Sequence, residues 1–114
     1  SIEHPIVSAN MGKDNWITDA EGNSLYFALD NYQNEGLRTQ HWLVDNVVKY
    51  HRTLSTIVNT LIEHGLQIEK MVEPIPTKDA VSNLQNLNKE FRRPSFLIIR
   101  AKKTSKNNHQ KVSV

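Results

Sequence analysis

The chain has 114 residues, with 14 lysine and arginine side chains against 12 aspartate and glutamate and a net charge of +2. That length allows one compact domain with a real core and leaves no room for a second. The lack of cysteine excludes disulfides, thiolate metal sites and cysteine nucleophiles, and no apolar run approaches the ~18 residues of a membrane span.

The opening Ser1-Ile2-Glu3-His4-Pro5 is no signal peptide, so the chain reads as soluble and cytoplasmic with no membrane partner. Residues 8–34 are polar and turn-rich, with Trp16, Tyr26, Phe27 and Tyr32 spaced through them. The spacing predicts an ordered lid, because long loops in compact domains are usually functional or disordered and the aromatics supply packing. From Gly36 to Arg52 the composition turns to strand formers broken by Asp45-Asn46, which predicts a β-hairpin pairing Val44 with Val47 and Gln40 with His51. Alternation then puts Trp42, Val47, Lys49 and His51 on one face and His41, Val48 and Tyr50 on the other.

Leu54, Ile57, Val58, Leu61 and Ile62 form one apolar stripe at helical spacing, with Thr53 as N-cap and Gly65 as the left-handed stop. Residues 66–72 read as a strand ended by Glu73-Pro74-Ile75-Pro76. Thr77 opens a second, weaker helix carrying Ala80, Val81, Leu84, Leu87 and Phe91, closed by Pro94. The run Phe96-Leu97-Ile98-Ile99 predicts a strand buried on both faces. Helix, strand, helix, strand in this order says α/β. Beyond residue 99 stand Arg100, Lys102, Lys103, Lys106 and Lys111 with no acid among them, leaving the rest at −3. An acidic body with a basic end reads as a solvated tail over residues 104–114 and argues against nucleic acid as a partner.

Gly12, Gly22, Gly36 and Gly65 stand at least ten residues apart, so no glycine-rich phosphate or dinucleotide loop can form. The histidines have no metal-ligand spacing, and a G-x-S-x-G nucleophile elbow is missing. No complete active site is legible, no residue is assigned to a cofactor, and no metal is expected.

The run Lys49-Tyr50-His51-Arg52-Thr53-Leu54-Ser55-Thr56, the helix ending in Gly65, Glu73-Pro74-Ile75-Pro76 and Arg93-Pro94-Ser95-Phe96-Leu97-Ile98-Ile99 together resemble the C-terminal half of a class I S-adenosylmethionine-dependent methyltransferase. Residues 1–5 resemble the end of that fold's fifth strand, and residues 32–38 the approach to its substrate cap. The resemblance implies a Rossmann-like three-layer α/β fold truncated at its N-terminal half. In it residues 1–7 are the end of a core strand, 8–52 a cap loop and hairpin, and 53–103 helix-strand-helix-strand. The last strand would run antiparallel between the fifth and sixth. S-adenosylmethionine would serve the full-length protein, but its glycine loop and ribose-binding acid lie upstream of Ser1, so none is expected on this chain, which would be inactive alone.

Candidate site residues follow from that frame. His4, at the carboxyl end of a strand, is a candidate general base, or a His-Pro pair shaping a turn. His51 and Arg52 would bind a polar or anionic substrate group, or anchor a loop by hydrogen bonds. Trp16, Tyr32, Trp42 and Tyr50 would wall a substrate pocket, or form the small core of a lid. Glu73 orients a substrate or tethers a loop. The partners implied are a small-molecule methyl acceptor, the missing N-terminal half, and a second copy pairing at an open sheet edge. The rival reading is a stand-alone dimerising interaction domain without catalysis; a nucleic-acid-binding domain using the basic end stands third.

Overall fold

The computed structural model describes residues 1–11, 14–40, 47–79 and 85–104. Strand β1 (Ile2–Glu3) leads into a one-turn helix α1 (Pro5–Ser8), followed by β2 (Trp16–Thr18), β3 (Ser24–Phe27), β4 (Gly36–Gln40) and β5 (Val47–His51). Helix α2 (Leu54–Glu63), β6 (Leu66–Val72), a 3-10 helix (Gln85–Phe91) and β7 (Phe96–Lys103) complete the order.

The central sheet has the order β1-β7-β6, antiparallel throughout. β7 is the middle strand: Leu97 pairs with Ile2, while Ile98 to Lys103 pair with Val72 to Leu66 across a bulge between Ile68 and Lys70. Helix α2 packs on β6. It begins where Thr53 Oγ1 accepts the Thr56 amide at 3.2 Å and stops where Gly65 takes φ +81°, a conformation that costs a residue with a Cβ about 1–2 kcal/mol. The Gly65 carbonyl then accepts from the Thr104 amide at 2.9 Å, tying the end of α2 to the end of β7.

Several sequence expectations are corrected. The segment 8–34 is not a plain loop: it contains the β2–β3 hairpin, with Trp16 opposite Phe27 and Ile17 opposite Tyr26. A bulge between Ile17 and Thr18 breaks the simple alternation that would have made these short strands visible. The β4–β5 hairpin forms, but in another register: Gly36 faces His51, Arg38 faces Lys49 and Gln40 faces Val47. The displacement is even, so Val47, Lys49 and His51 still share a face; the turn residues Asp45 and Asn46, with His41 and Trp42, lie outside the described residues. Burial of Arg38 and His51 on that face sets the register, and a weak turn signal does not. Of the second helix, Lys78 and Asp79 are helical and Gln85–Phe91 is a 3-10 helix; Ala80, Val81 and Leu84 lie outside the described residues, as do residues 105–114. Arg100, Lys102 and Lys103 belong to β7 and pair with β6, so part of the basic end is ladder.

The largest correction concerns burial. Leu97 is 1% exposed, but Phe96 and Ile98 on the opposite side of β7 are 57% and 41% exposed, so one face of the sheet is covered and the other is open. Helix α2 has no fully buried residue. Among the described residues the buried apolar side chains are Pro5, Ala9, Trp16 and Leu97. The radius of gyration is 17.3 Å, where a compact domain of this length has about 13 Å.

Candidate functional site

The chain gathers its buried polar groups where β1 ends. The His4 amide donates to the Ser95 carbonyl of the segment entering β7 at 2.9 Å, and the His4 ring caps α1. Nδ1 of His4 accepts from the Ile6 amide at 3.2 Å, so the ring proton sits on Nε2 and is donated to Glu73 Oε2 at 2.5 Å. Proline at the first position of α1 gives up an amide that has no helical partner there. His4 and Glu73 therefore form a pair across the carboxyl end of β1 and the end of β6, with His4 buried and Glu73 half exposed.

One turn further on, Ser8 Oγ lies 2.7 Å from Nδ1 of the fully buried His51. Nε2 of His51 donates to the Tyr32 carbonyl at 2.7 Å, and the two rings meet edge to face with centroids 5.6 Å apart. The Tyr32 hydroxyl in turn accepts from the Leu54 amide at 2.8 Å, satisfying one of the orphan donors at the start of α2. Glu35 accepts the Thr53 amide at 2.9 Å. The Thr56 hydroxyl and the Thr53 amide hold its carboxyl below the ordinary glutamate range. Arg38, 5% exposed, donates Nε to the Ala9 carbonyl at 3.1 Å and Nη2 to the Asn31 and Asn34 carbonyls at 3.1 and 2.5 Å. Asn31 sits at φ +58°, the bend that turns these carbonyls inward. Loop 31–35 is thus stitched to β4, β5 and α2 by polar bonds, and Arg38 ties the same region to the end of α1.

A second cluster surrounds Trp16, which is 8% exposed. Its ring meets Phe27 edge to face at 5.4 Å and lies beneath the guanidinium groups of Arg92 and Arg93 at 4.9 and 5.5 Å. A concave site of about 340 Å³ opens there, with Ile6 of α1 on its wall.

The structure brings His51 and Tyr32 together, joins His4 to Glu73, and sets Trp16 apart in the second cluster. Arg52 does not join His51: it lies exposed over the Tyr50 ring at 4.9 Å, on the outer face of the hairpin. Trp42 lies outside the described residues. With both ring nitrogens engaged inside the protein, His51 has the geometry of a loop anchor, the alternative weighed beside substrate binding. Sequence reasoning missed Ser8, Glu35 and Arg38. Arg38 alone had a signal, an arginine on the inward face of an alternating strand. Arg92 and Arg93 had no site role in the sequence reading, where Arg93 entered only as the first residue of the run 93–99.

The described glycines, Gly22, Gly36 and Gly65, stand far apart in the chain, and no glycine-rich turn between a strand and a helix is formed among the described residues. No cluster that could hold a metal ion exists among the described residues, and no helix described is long and apolar enough to cross a membrane.

β7 lies antiparallel between β1 and β6, the arrangement that the resemblance to class I methyltransferases implies for their last strand. Comparison with known proteins agrees. The chain is similar to the crystal structure of a candidate S-adenosylmethionine-dependent methyltransferase from Listeria monocytogenes, with a TM-score of 0.79 and 42% identity over 90% of this chain and 46% of that one. It is also similar to the structure of an S-adenosylmethionine-dependent methyltransferase from Mesorhizobium loti, with a TM-score of 0.69 and 40% identity over 87% of this chain and 44% of that one. An uncharacterized protein from Haemophilus influenzae is 33% identical over 110 residues, 93% of this chain and 41% of its own length. No family model matches the chain. The chain spans less than half the length of these relatives, and over that span it resembles the C-terminal half of an S-adenosylmethionine-dependent methyltransferase in both sequence and fold.

Proposed function

We propose that this chain supplies the acceptor-facing side of an S-adenosylmethionine-dependent methyltransferase acting on a small molecule, and that residues outside it hold the cofactor. The observation that carries this reading is β7 held between β1 and β6, in a chain 42% identical to one such solved structure. Ligands of open α/β sheets gather at the carboxyl ends of strands, which is where His4 stands after β1. In this reading the β4–β5 hairpin and loop 31–35 are the cap, Tyr32 and His51 hold it in place, and Tyr50 and Arg52 lie on its outer surface. His4 is the candidate base, oriented by Glu73; to serve, its Nδ1 must release the Ile6 amide.

The open sheet face, with Phe96 and Ile98 exposed, is the surface against which the remaining layers of the longer fold would pack. Burying a large apolar side chain is worth about 1.5–3 kcal/mol, so the same face would draw a second copy when those layers are absent. A stand-alone domain that dimerises through this face without catalysis is the alternative, and the exposed apolar row on β7 favours it equally.

Calorimetric titration of S-adenosylmethionine separates the readings. The chain alone should give no saturable heat. Binding should appear when a polypeptide carrying the strands and helices that precede β1 in the longer relatives is added. Tight binding by the chain alone overturns the cofactor assignment, and a complementing polypeptide that neither binds the chain nor restores cofactor binding favours the stand-alone domain.

A further inference from the structure

The cations around Trp16 outnumber their partners. Arg92, Arg93 and Lys89 stand 4.9, 5.5 and 5.5 Å from the indole centroid, and Arg93 also lies 4.8 Å from the Phe27 centroid. Arg93 is paired with Glu90 at 3.5 Å, whereas Lys89 and Arg92 have no ion-pair partner among the described residues. A guanidinium offers five N–H donors. Arg92 uses two of its groups on the Ser24 and Leu25 carbonyls, at 2.9 and 2.8 Å, which fixes it over the β2–β3 hairpin. Arg93 bonds from Nη1, to Ser95 and Glu90, and its buried Nε has no acceptor among the described residues. A buried donor left unmade costs about 1–3 kcal/mol and calls for an acceptor.

We propose that this pocket takes a small planar carboxylate, and that, on the acceptor-side reading above, such a carboxylate is the chemical class of the methyl acceptor. The shape and the charge agree. About 340 Å³ walled by Trp16, Phe27 and Ile6 suits one flat ring. The Arg92 and Arg93 side chains line it, and charge-assisted bonds from two guanidiniums to a carboxylate discriminate against a neutral amide of the same shape. Ile6 joins the pocket to the one-turn helix capped by His4, so a ligand seated here lies beside the carboxyl end of β1.

The test uses benzoate and its neutral isostere benzamide, titrated into the chain and followed by NMR at the Trp16 indole and Arg93 Nε–H resonances, with protected α2 and β7 amides as the control for folding. Benzoate should shift both resonances saturably and bind at least about tenfold more tightly than benzamide. Arg93→Gln should lose that preference, and Arg92→Gln, at an exposed side chain outside the Glu90 pair, should weaken benzoate about threefold or more. Equal affinity for the two probes, an unchanged preference in Arg92→Gln, or no movement of the Trp16 resonance at about 10 mM benzoate overturns the proposal. Cofactor binding is read separately by calorimetry: binding by the chain alone would end the functional reading and leave the carboxylate pocket standing.

Discussion

Ser8 Oγ lies 2.7 Å from Nδ1 of His51, across 43 residues of chain, and this bond joins the turn after β1 to the end of β5. The Tyr32 carbonyl can only accept, so the His51 proton sits on Nε2 and the Ser8 hydroxyl donates to Nδ1. A fully buried imidazole is held in one tautomer from both sides. Ser8→Ala leaves Nδ1 buried without a donor, and should lower unfolding free energy by about 1–3 kcal/mol, read as a shift of the urea midpoint at unchanged slope.

Arg38 is a buried cation whose hydrogen-bond partners are backbone carbonyls, those of Ala9, Asn31 and Asn34 among them. Lysine keeps the charge but lacks the planar fork that reaches three directions at once. Arg38→Lys should cost about 1.5–3 kcal/mol, the range for a lost hydrogen bond to a charged group. Amide exchange should rise first in loop 31–35, while the β6–β7 ladder stays protected.

Glu35 carries a pH dependence of known sign. The Thr56 hydroxyl and the Thr53 amide favour its charged form and lower its folded-state value below the unfolded one. Its contribution is fully present above the ordinary glutamate value of about 4.3 and is lost as pH falls through the lower folded value. The stability gap between the natural chain and Glu35→Gln should therefore be constant at neutral pH and close on acidification below about pH 4. A gap that widens on acidification contradicts this assignment.

Gly65 is held at φ +81°, with Thr104 Oγ1 3.7 Å from where a Cβ would stand. That distance is ordinary contact, so backbone strain alone decides the cost. Gly65→Ala should destabilise by about 1–2 kcal/mol, and Gly65→Asn by less, since asparagine tolerates the left-handed region.

The open face of β7 predicts association. Light scattering at about tens of micromolar should detect species larger than a monomer, with the fraction rising with concentration. Ile98→Lys, at a side chain 41% exposed, should shift the population toward monomer without changing the midpoint of unfolding of the dilute chain. A monomer at every concentration removes both the second-copy partner and the dimerising alternative.

Helix α2 was legible in the residues because its stripe, its threonine cap and its glycine stop are local signals that agree with one another. The strand 66–72 was legible for the same reason, bounded by a glycine on one side and two prolines on the other. The resemblance carried in residues 49–56, 73–76 and 93–99 was likewise written in the chain, and the solved relatives agree with it. What only the folded arrangement decided were the pairings over distance. The β4–β5 register depends on where Arg38 and His51 find burial, not on the turn between them. The exposure of Phe96 and Ile98 depends on which layers cover the sheet, and an apolar run reads the same covered or bare. The joining of Ser8 to His51, and the gathering of three cations over Trp16, needed the chain to fold back on itself; hydrophobic period and local propensity hold no information about which distant polar groups will satisfy each other.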